Sequence, residues 1–189
     1  MNPEEVMKEI EEEARSKFLP IIGPAKGTIL DSLVIRTRPR RVLEVGTLVG
    51  YSAIRIGRLL PAGGSMTCIE VDGRMAQRAK KNIERAGLSG KVSVLVGDAK
   101  HVIPTLKHTL DMLFLDAAKD EYLSYLKLAE PLLHKGSVVV ADNVIVLADE
   151  MKDYLDYVRM SGIYRSECIE AALASDPGTM DGIEVSVML

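Results

Sequence analysis

The 189-residue sequence has no tryptophan, only two phenylalanines, three histidines and two cysteines, Cys68 and Cys168. With no CxxC pair and no His/Cys cluster, a disulfide framework and a zinc centre are both excluded, and the thiols are expected to be reduced and mostly buried. No apolar run approaches the roughly 18 residues of a membrane span. The opening MNPEEVMKEIEEEARSKF is acidic and helical in period. It lacks the basic start and apolar core of a secretory signal, so a cytoplasmic location without membrane contact is expected. Net charge is also small, at −3 with a pI near 5.7, which argues against a large nucleic-acid footprint while leaving a local basic patch open. Repeats, low-complexity tracts and linkers are missing too, so residues 1–189 read as one domain.

What is present is alternation. The short apolar runs RVLEV (41–45), SMTCIEV (65–71), KVSVLV (91–96), DMLFLD (111–116) and SVVVAD (137–142), most of them rich in β-branched residues, are each followed by a helical stretch. That order predicts a parallel sheet with helices on both faces. Two helices, roughly 3–18 and 23–37, precede the first strand, and another lies near 148–160. The final runs IYRSECIEAAL and GIEVSVML are linked by the turn-rich ASDPGTMDG with no helix between them. They must therefore pair antiparallel. The expected fold is α/β, a Rossmann-like sandwich whose seven-stranded, mostly parallel sheet has an antiparallel last strand.

The strand ends carry the chemistry. In VLEVGTLVGYSAIRI the spacing is Gly-x-x-x-Gly, from Gly46 to Gly50, where a dinucleotide fingerprint needs G-x-G-x-x-G. A pyrophosphate cradle is therefore disfavoured. Glu70 ends the second strand, 24 residues beyond Gly46, where an acidic side chain in doubly wound folds accepts from ribose hydroxyls. Glu44 beside the loop would repel phosphate and suits an ammonium group, and Asp98 after the third strand is placed to accept from an adenine amino group. S-adenosylmethionine combines a nucleoside, an amino acid and a sulfonium without phosphate. Singly each carboxylate is an ordinary cap or turn residue. Together they line one crevice at the carboxyl ends of the strands.

Asp116 ends the fourth strand, and Asp142 with Asn143 ends the fifth. Three oxygen ligands on neighbouring strands suit a hard cation such as Mg²⁺, or Mn²⁺ or Ca²⁺ in its place. Lys119 follows Asp116 at a helix start, where the macrodipole disfavours a cation. A partly desolvated amine at that point could take the proton of a hydroxyl held at the metal, which makes Lys119 the candidate base.

These motifs resemble the Mg²⁺-dependent O-methyltransferases related to catechol O-methyltransferase and caffeoyl-CoA O-methyltransferase. The resemblance runs from GPAKGTILDSLV through LEVGTLVGYSAIRIGRLL, FLDAAKDEYL and VVVADNVI to DGIEV. It implies a class I methyltransferase fold with the last strand inserted antiparallel and the amino-terminal helices, residues 1–37, over the active site. It further implies Asp116, Asp142 and Asn143 as metal ligands, Lys119 as base and Glu70 on the ribose. Ile22, Glu44, Gly46 and Ser52 would surround the methionine part, with Tyr51, Gly97, Asp98, Ala99 and Asp116 as further cofactor contacts.

Departures concern the acceptor. Ala117 and Ala118 stand where catechol O-methyltransferase has bulky His and Trp residues. ASDPGTM, with Asp176 as its one acidic side chain, stands where the family has a catechol-contacting Glu, and Phe18 replaces a wall Trp. The expected acceptor is a small aromatic vicinal diol. The rival reading is methylation of a hydroxyuridine in transfer RNA, with RTRPRR (36–41) and GRMAQRAKKNIERAG (73–87) meeting phosphate. The apolar stripe Val6, Met7, Ile10, Ala14 and Phe18 leaves three roles open: packing on its own domain, closing over the acceptor, or forming a homodimer.

Overall fold

Asn2 opens the chain's first helix by a reciprocal capping box. Its side chain accepts from Glu5 N at 2.8 Å, and the Glu5 carboxylate accepts from Asn2 N at 3.0 Å, so two otherwise orphaned donors are satisfied. This helix, α1 (Pro3–Ser16), and α2 (Gly23–Thr37) precede the sheet in a computed structural model that describes residues 1–176 and 178–189. Pro177, in the ASDPGTM stretch considered for acceptor contact, lies outside the described residues.

Among the described residues seven strands follow: β1 (Arg41–Val45), β2 (Ser65–Glu70), β3 (Val92–Val96), β4 (Leu110–Leu115), β5 (Leu133–Asp142), β6 (Tyr164–Ala172) and β7 (Met180–Met188). Their order across the sheet is β3-β2-β1-β4-β5-β7-β6. β7 pairs antiparallel with both β5 and β6, so it is the one reversed strand and sits between them. The expected fold class is therefore observed, antiparallel terminal pair included.

The helices α3 (Tyr51–Gly57), α4 (Gly73–Arg85), α5 (Ala99–Val102), α6 (Tyr122–Ala129) and α7 (Lys152–Met160) complete the layers. Strand alternation sends Val42, Met66, Phe114 and Val140 toward α1–α4, and Leu43, Val45, Leu113, Leu115 and Val139 toward α5–α7. Each fully buried aliphatic side chain contributes about 1.5–3 kcal/mol. Both faces are covered, as a parallel sheet requires.

Val6, Met7 and Ile10 of α1 are buried in the same core as α2, α3 and α4. That part of the stripe is thus spent within the chain, whereas Phe18 is 90 % exposed. The expectation of two mostly buried thiols holds for Cys68 only. Cys168 is exposed because β6 is an edge strand. Among the described residues no helix is long and apolar enough to cross a membrane.

Candidate active site

A cleft of about 1490 Å³ opens at the carboxyl ends of the parallel strands. Ile22, Gly46, Tyr51, Ser52, Glu70, Gly97, Asp98, Ala99, Asp116, Lys119, Asp142 and Asn143, all singled out from sequence, line it. Glu44 does not. It is fully buried beneath the glycine loop, where its Oε1 accepts from Ser52 Oγ at 2.5 Å and its Oε2 has no partner. Burial pushes the Glu44 carboxyl up to about 7, against the hydrogen bond from Ser52. Its charge lies under the loop, out of a ligand's reach, so it favours a cationic group in the cleft through the local field and not by contact.

The loop itself needs its glycines. Gly46 has φ +89°, and a Cβ there would come within 2.1 Å of the Asp116 carbonyl oxygen. Gly50 has φ +87° and packs against Ala79 at 3.2 Å from where its Cβ would stand. Between them Leu48 also takes positive φ, at 50°, a conformation that costs an L-residue about 1–2 kcal/mol. Glu70 holds that turn. Its Oε2 accepts from Leu48 N at 2.7 Å and Thr47 N at 3.2 Å, and its Oε1 accepts from Asp72 N at 2.9 Å.

This corrects the simple ribose assignment in one respect. Glu70 spends most of its acceptor capacity on the backbone, with a remaining lone pair on Oε1 for a ligand hydroxyl. It also fills, with a carboxylate, the amide seat that a phosphate would use. Asp98 likewise caps α5 through Lys100 N at 2.8 Å, the ordinary role for an aspartate there. Tyr51 lines the cleft, and its hydroxyl donates to Glu11 Oε1 at 2.6 Å and accepts from Arg55 Nη1 at 2.9 Å. α1 is thereby tied to the loop's helix.

The other half of the cleft is acidic. Leu115 pairs with Ala141 in the parallel β4–β5 register, so Asp116 and Asp142 leave the sheet side by side. Asn143 follows in the left-handed region at φ 64°, which Asn tolerates better than most residues. Asn143 Nδ2 donates to Asp181 Oδ2 at 2.8 Å, and this fixes the amide so that its oxygen faces away from Asp181. Asp116 Oδ2, Asp142 Oδ2 and Asn143 Oδ1 accept no hydrogen bond among the described residues. Three hard oxygen donors therefore remain for a cation. No group of three His, Cys, Asp or Glu side chains forms an alternative metal site among those residues.

Two buried groups in this half were not singled out from sequence. Lys26 of α2, only 1 % exposed, donates to Asp142 Oδ1 and Asp181 Oδ2, both at 2.5 Å. Burial works to lower the Lys26 pKa, but the two carboxylates outweigh it and raise it. Asp181 also accepts from Ile145 N and Val146 N. Burial would raise its carboxyl, yet Lys26, the Val146 and Gly182 amides and Asn143 hold it down at about 2. Burial, then the charge of Asp116, lifts Asp142 to about 7. Both lysine and aspartate lie inside stretches that carry the family resemblance, GPAKG and DGIEV, but a lysine on a helix is by default a surface residue.

Lys119 sits 3.0 Å from Asp116 Oδ1. The conflict with the helix dipole is resolved locally, because a short 3₁₀ turn, Lys119–Glu121, precedes α6 and the amine turns back to the carboxylate. Asp176 is not brought to the cleft. Its exposed carboxylate accepts from Gly178 N and Thr179 Oγ1 instead. Phe18 reaches only the rim.

Neither basic stretch borders the cleft. Residues 36–41 lie at the opposite, amino-terminal end of β1. On α4, Arg78 and Arg85 are paired with Glu13 and Glu9 of α1. These cations are used within the chain.

A family model described as O-methyltransferase matches residues 1–178. Catechol O-methyltransferase B of Danio rerio is 40% identical over an alignment that covers all of this chain and 73% of that protein. Among solved structures, the O-methyltransferase TomG from Streptomyces achromogenes, in complex with SAM, superposes with a TM-score of 0.86 at 26% identity, covering 97% of this chain and 89% of TomG. An O-methyltransferase from Bacillus cereus, in complex with SAH, gives a TM-score of 0.85 at 26% identity over 99% of this chain and 90% of its own.

Proposed function

The chain belongs to the O-methyltransferase family, and from that premise we propose that it transfers the methyl group of S-adenosylmethionine to one hydroxyl of a catechol-like aromatic diol, with a divalent cation bound. The observation that carries the donor's identity is the pair of carboxylates at the glycine loop. Glu70 already fills the loop's anion seat, and Glu44 keeps an unpartnered oxygen beneath it. Such a site rejects phosphate and accepts a nucleoside with a cationic amino-acid tail. Two relatives solved with SAM or SAH lend the reading support from outside the chain.

Asp116, Asp142 and Asn143 would hold the cation, and their hard oxygens suit Mg²⁺ best. Bound there, the cation would supply positive charge that stabilises an acceptor oxygen as its anion. S-adenosylmethionine supplies an electrophilic methyl on sulfur and leaves as a neutral thioether. The chain's own contributions are then definite. Lys119 Nζ receives the proton lost by the acceptor hydroxyl. The glycine loop, Tyr51 and Ile22 fix the donor, while Ala117 and Ala118 leave room beside the acidic oxygens for an aromatic ring. Two adjacent hydroxyls suit the reading because a hard cation held by Asp116, Asp142 and Asn143 would favour further oxygen donors.

Thermal unfolding tests the donor site. S-adenosylhomocysteine at a hundred times its Kd should stabilise the protein by about 2.7 kcal/mol, whereas NAD should leave the midpoint where it was. Glu44→Gln should separate stability from binding. The folded Glu44 pKa lies above its ordinary 4.5, so the stability of the protonated form is fully present below pH 4.5 and lost as pH rises through about 7. Above pH 7 the glutamine variant should be the more stable apoprotein, by up to about 3 kcal/mol, and yet should gain less from S-adenosylhomocysteine. Stabilisation by NAD, or equal ligand stabilisation in the variant, would count against the assignment.

A further inference from the structure

Tyr122 stands at the start of α6, fully buried, with its ring packed edge-to-face on Tyr154 at 5.7 Å between centroids and 87° between planes. Its hydroxyl nevertheless meets polar groups of Lys119, Asp142 and the Ala117 backbone. It donates toward the Asp142 carbonyl oxygen at 3.3 Å and accepts from Lys119 Nζ at 2.7 Å. A phenol has one proton to give. With that proton directed at the backbone of Asp142, the oxygen presents a lone pair to Lys119.

From this arrangement we infer that Tyr122 is a positioning residue for Lys119, fixing the amine at the one place from which it can exchange a proton with an acceptor hydroxyl. The inference rests on the proposed role of Lys119. A tetrahedral nitrogen has four directions. At Lys119 Nζ one is the bond to Cε, a second points to Asp116 Oδ1 at 3.0 Å and a third to Tyr122 Oη at 2.7 Å. The fourth remains for a ligand in the cleft that Lys119 lines. Either anchor alone would let the amine swing about the bond to its partner, whereas two fix the fourth direction.

The anchors differ in kind. Asp116 also faces the proposed cation, so its hold on the lysine competes with another duty. Tyr122 has no such competitor. Its ring is clamped by Tyr154, and Lys119 Nζ stands 5.0 Å from the ring centroid. Through the Asp142 carbonyl, Tyr122 also ties the amine to the residue that precedes Asn143. Base and acidic loop thus share one rigid post, and displacements of about 1 Å in such an arrangement cost about 100-fold in rate.

Tyr122→Phe keeps the ring and its packing and removes only the hydroxyl. With catechol as acceptor, the variant should lose about 10- to 100-fold in kcat, while KM for S-adenosylmethionine and for catechol stays within about threefold. In a Lys119→Ala background the same change should alter the residual rate by no more than about twofold, because the group being positioned is gone. Unimpaired kcat in Tyr122→Phe, beside a disabled Lys119→Ala, overturns this inference alone. An equal loss in both backgrounds overturns it as well, since a general packing defect acts whether or not the amine is there. Full turnover in Lys119→Ala, or no catechol turnover by the wild type, overturns the underlying reading and this inference with it.

Discussion

Lys119→Ala should lower kcat by about 100- to 10,000-fold, the usual range for loss of a general base, with little change in S-adenosylhomocysteine affinity. The separation of effects follows from geometry. Lys119 contacts Asp116 and Tyr122 at the acidic end of the cleft, and it makes no hydrogen bond to Glu44, Ser52 or Glu70, which surround the glycine loop. Stability should change little, because the side chain ends in the cleft and its removal leaves Asp116 able to meet water. Turnover and ligand-induced melting shifts, measured on one preparation, check both halves. Unchanged turnover would remove Lys119 from the chemistry.

Lys26→Met should produce the largest loss of stability, about 3–5 kcal/mol, which is the cost of breaking a buried ion pair by removing one partner. Methionine matches the length of the stem, so the cost arises from charge. Asp142 and Asp181 would be left as carboxylates in a dry interior with no amine between them. The loss should depend on pH with a definite sign. The Asp142 carboxyl is already lifted to about 7 by burial and by Asp116, and without Lys26 it protonates more readily. Destabilisation should therefore be greater at pH 8 than at pH 5. In the wild type Asp181 is held down at about 2, below its ordinary 3.8. Its stabilising contribution is present above pH 3.8 and is lost only as pH falls through about 2. Saturating Mg²⁺ should restore part of the loss in Lys26→Met, because a cation at Asp142 replaces some of the missing charge. A melting midpoint equal to wild type at pH 8 would contradict the assignment of Lys26 as the internal counter-ion.

The sheet was legible because its signals are local. Apolar runs of five to seven residues, strand-end carboxylates and a turn-rich link without a helix are visible in the sequence, and the strands β1 to β5 and the final antiparallel pair lie where those signals put them to within a few residues. The candidate site was legible as a set of positions at strand ends. What the sequence withheld is how much hydrogen-bonding capacity each residue has left. Glu70 reads as a ligand carboxylate, yet three backbone amides already use it. Glu44 reads as a cleft residue, yet it lies under the loop because strand alternation turns it toward α3 and Ser52. Lys26 and Asp181 are 155 residues apart. Only the insertion of β7 beside β5 brings the aspartate next to the loop that α2 covers, and no local pattern announces that. Tyr122 was hidden for a similar reason, since a tyrosine at helical spacing in an apolar stretch reads as core, which it also is.

The most direct test of the account is methyl incorporation from labelled S-adenosylmethionine, into catechols and, separately, into hydroxyuridine-containing transfer RNA, with Mg²⁺ and with excess chelator. The account predicts labelled catechol ether in Mg²⁺, a fall to background with chelator and recovery when Mg²⁺ is added back. Catechol labelling that the chelator leaves untouched would contradict the metal assignment to Asp116, Asp142 and Asn143. Labelling confined to the RNA would contradict the acceptor.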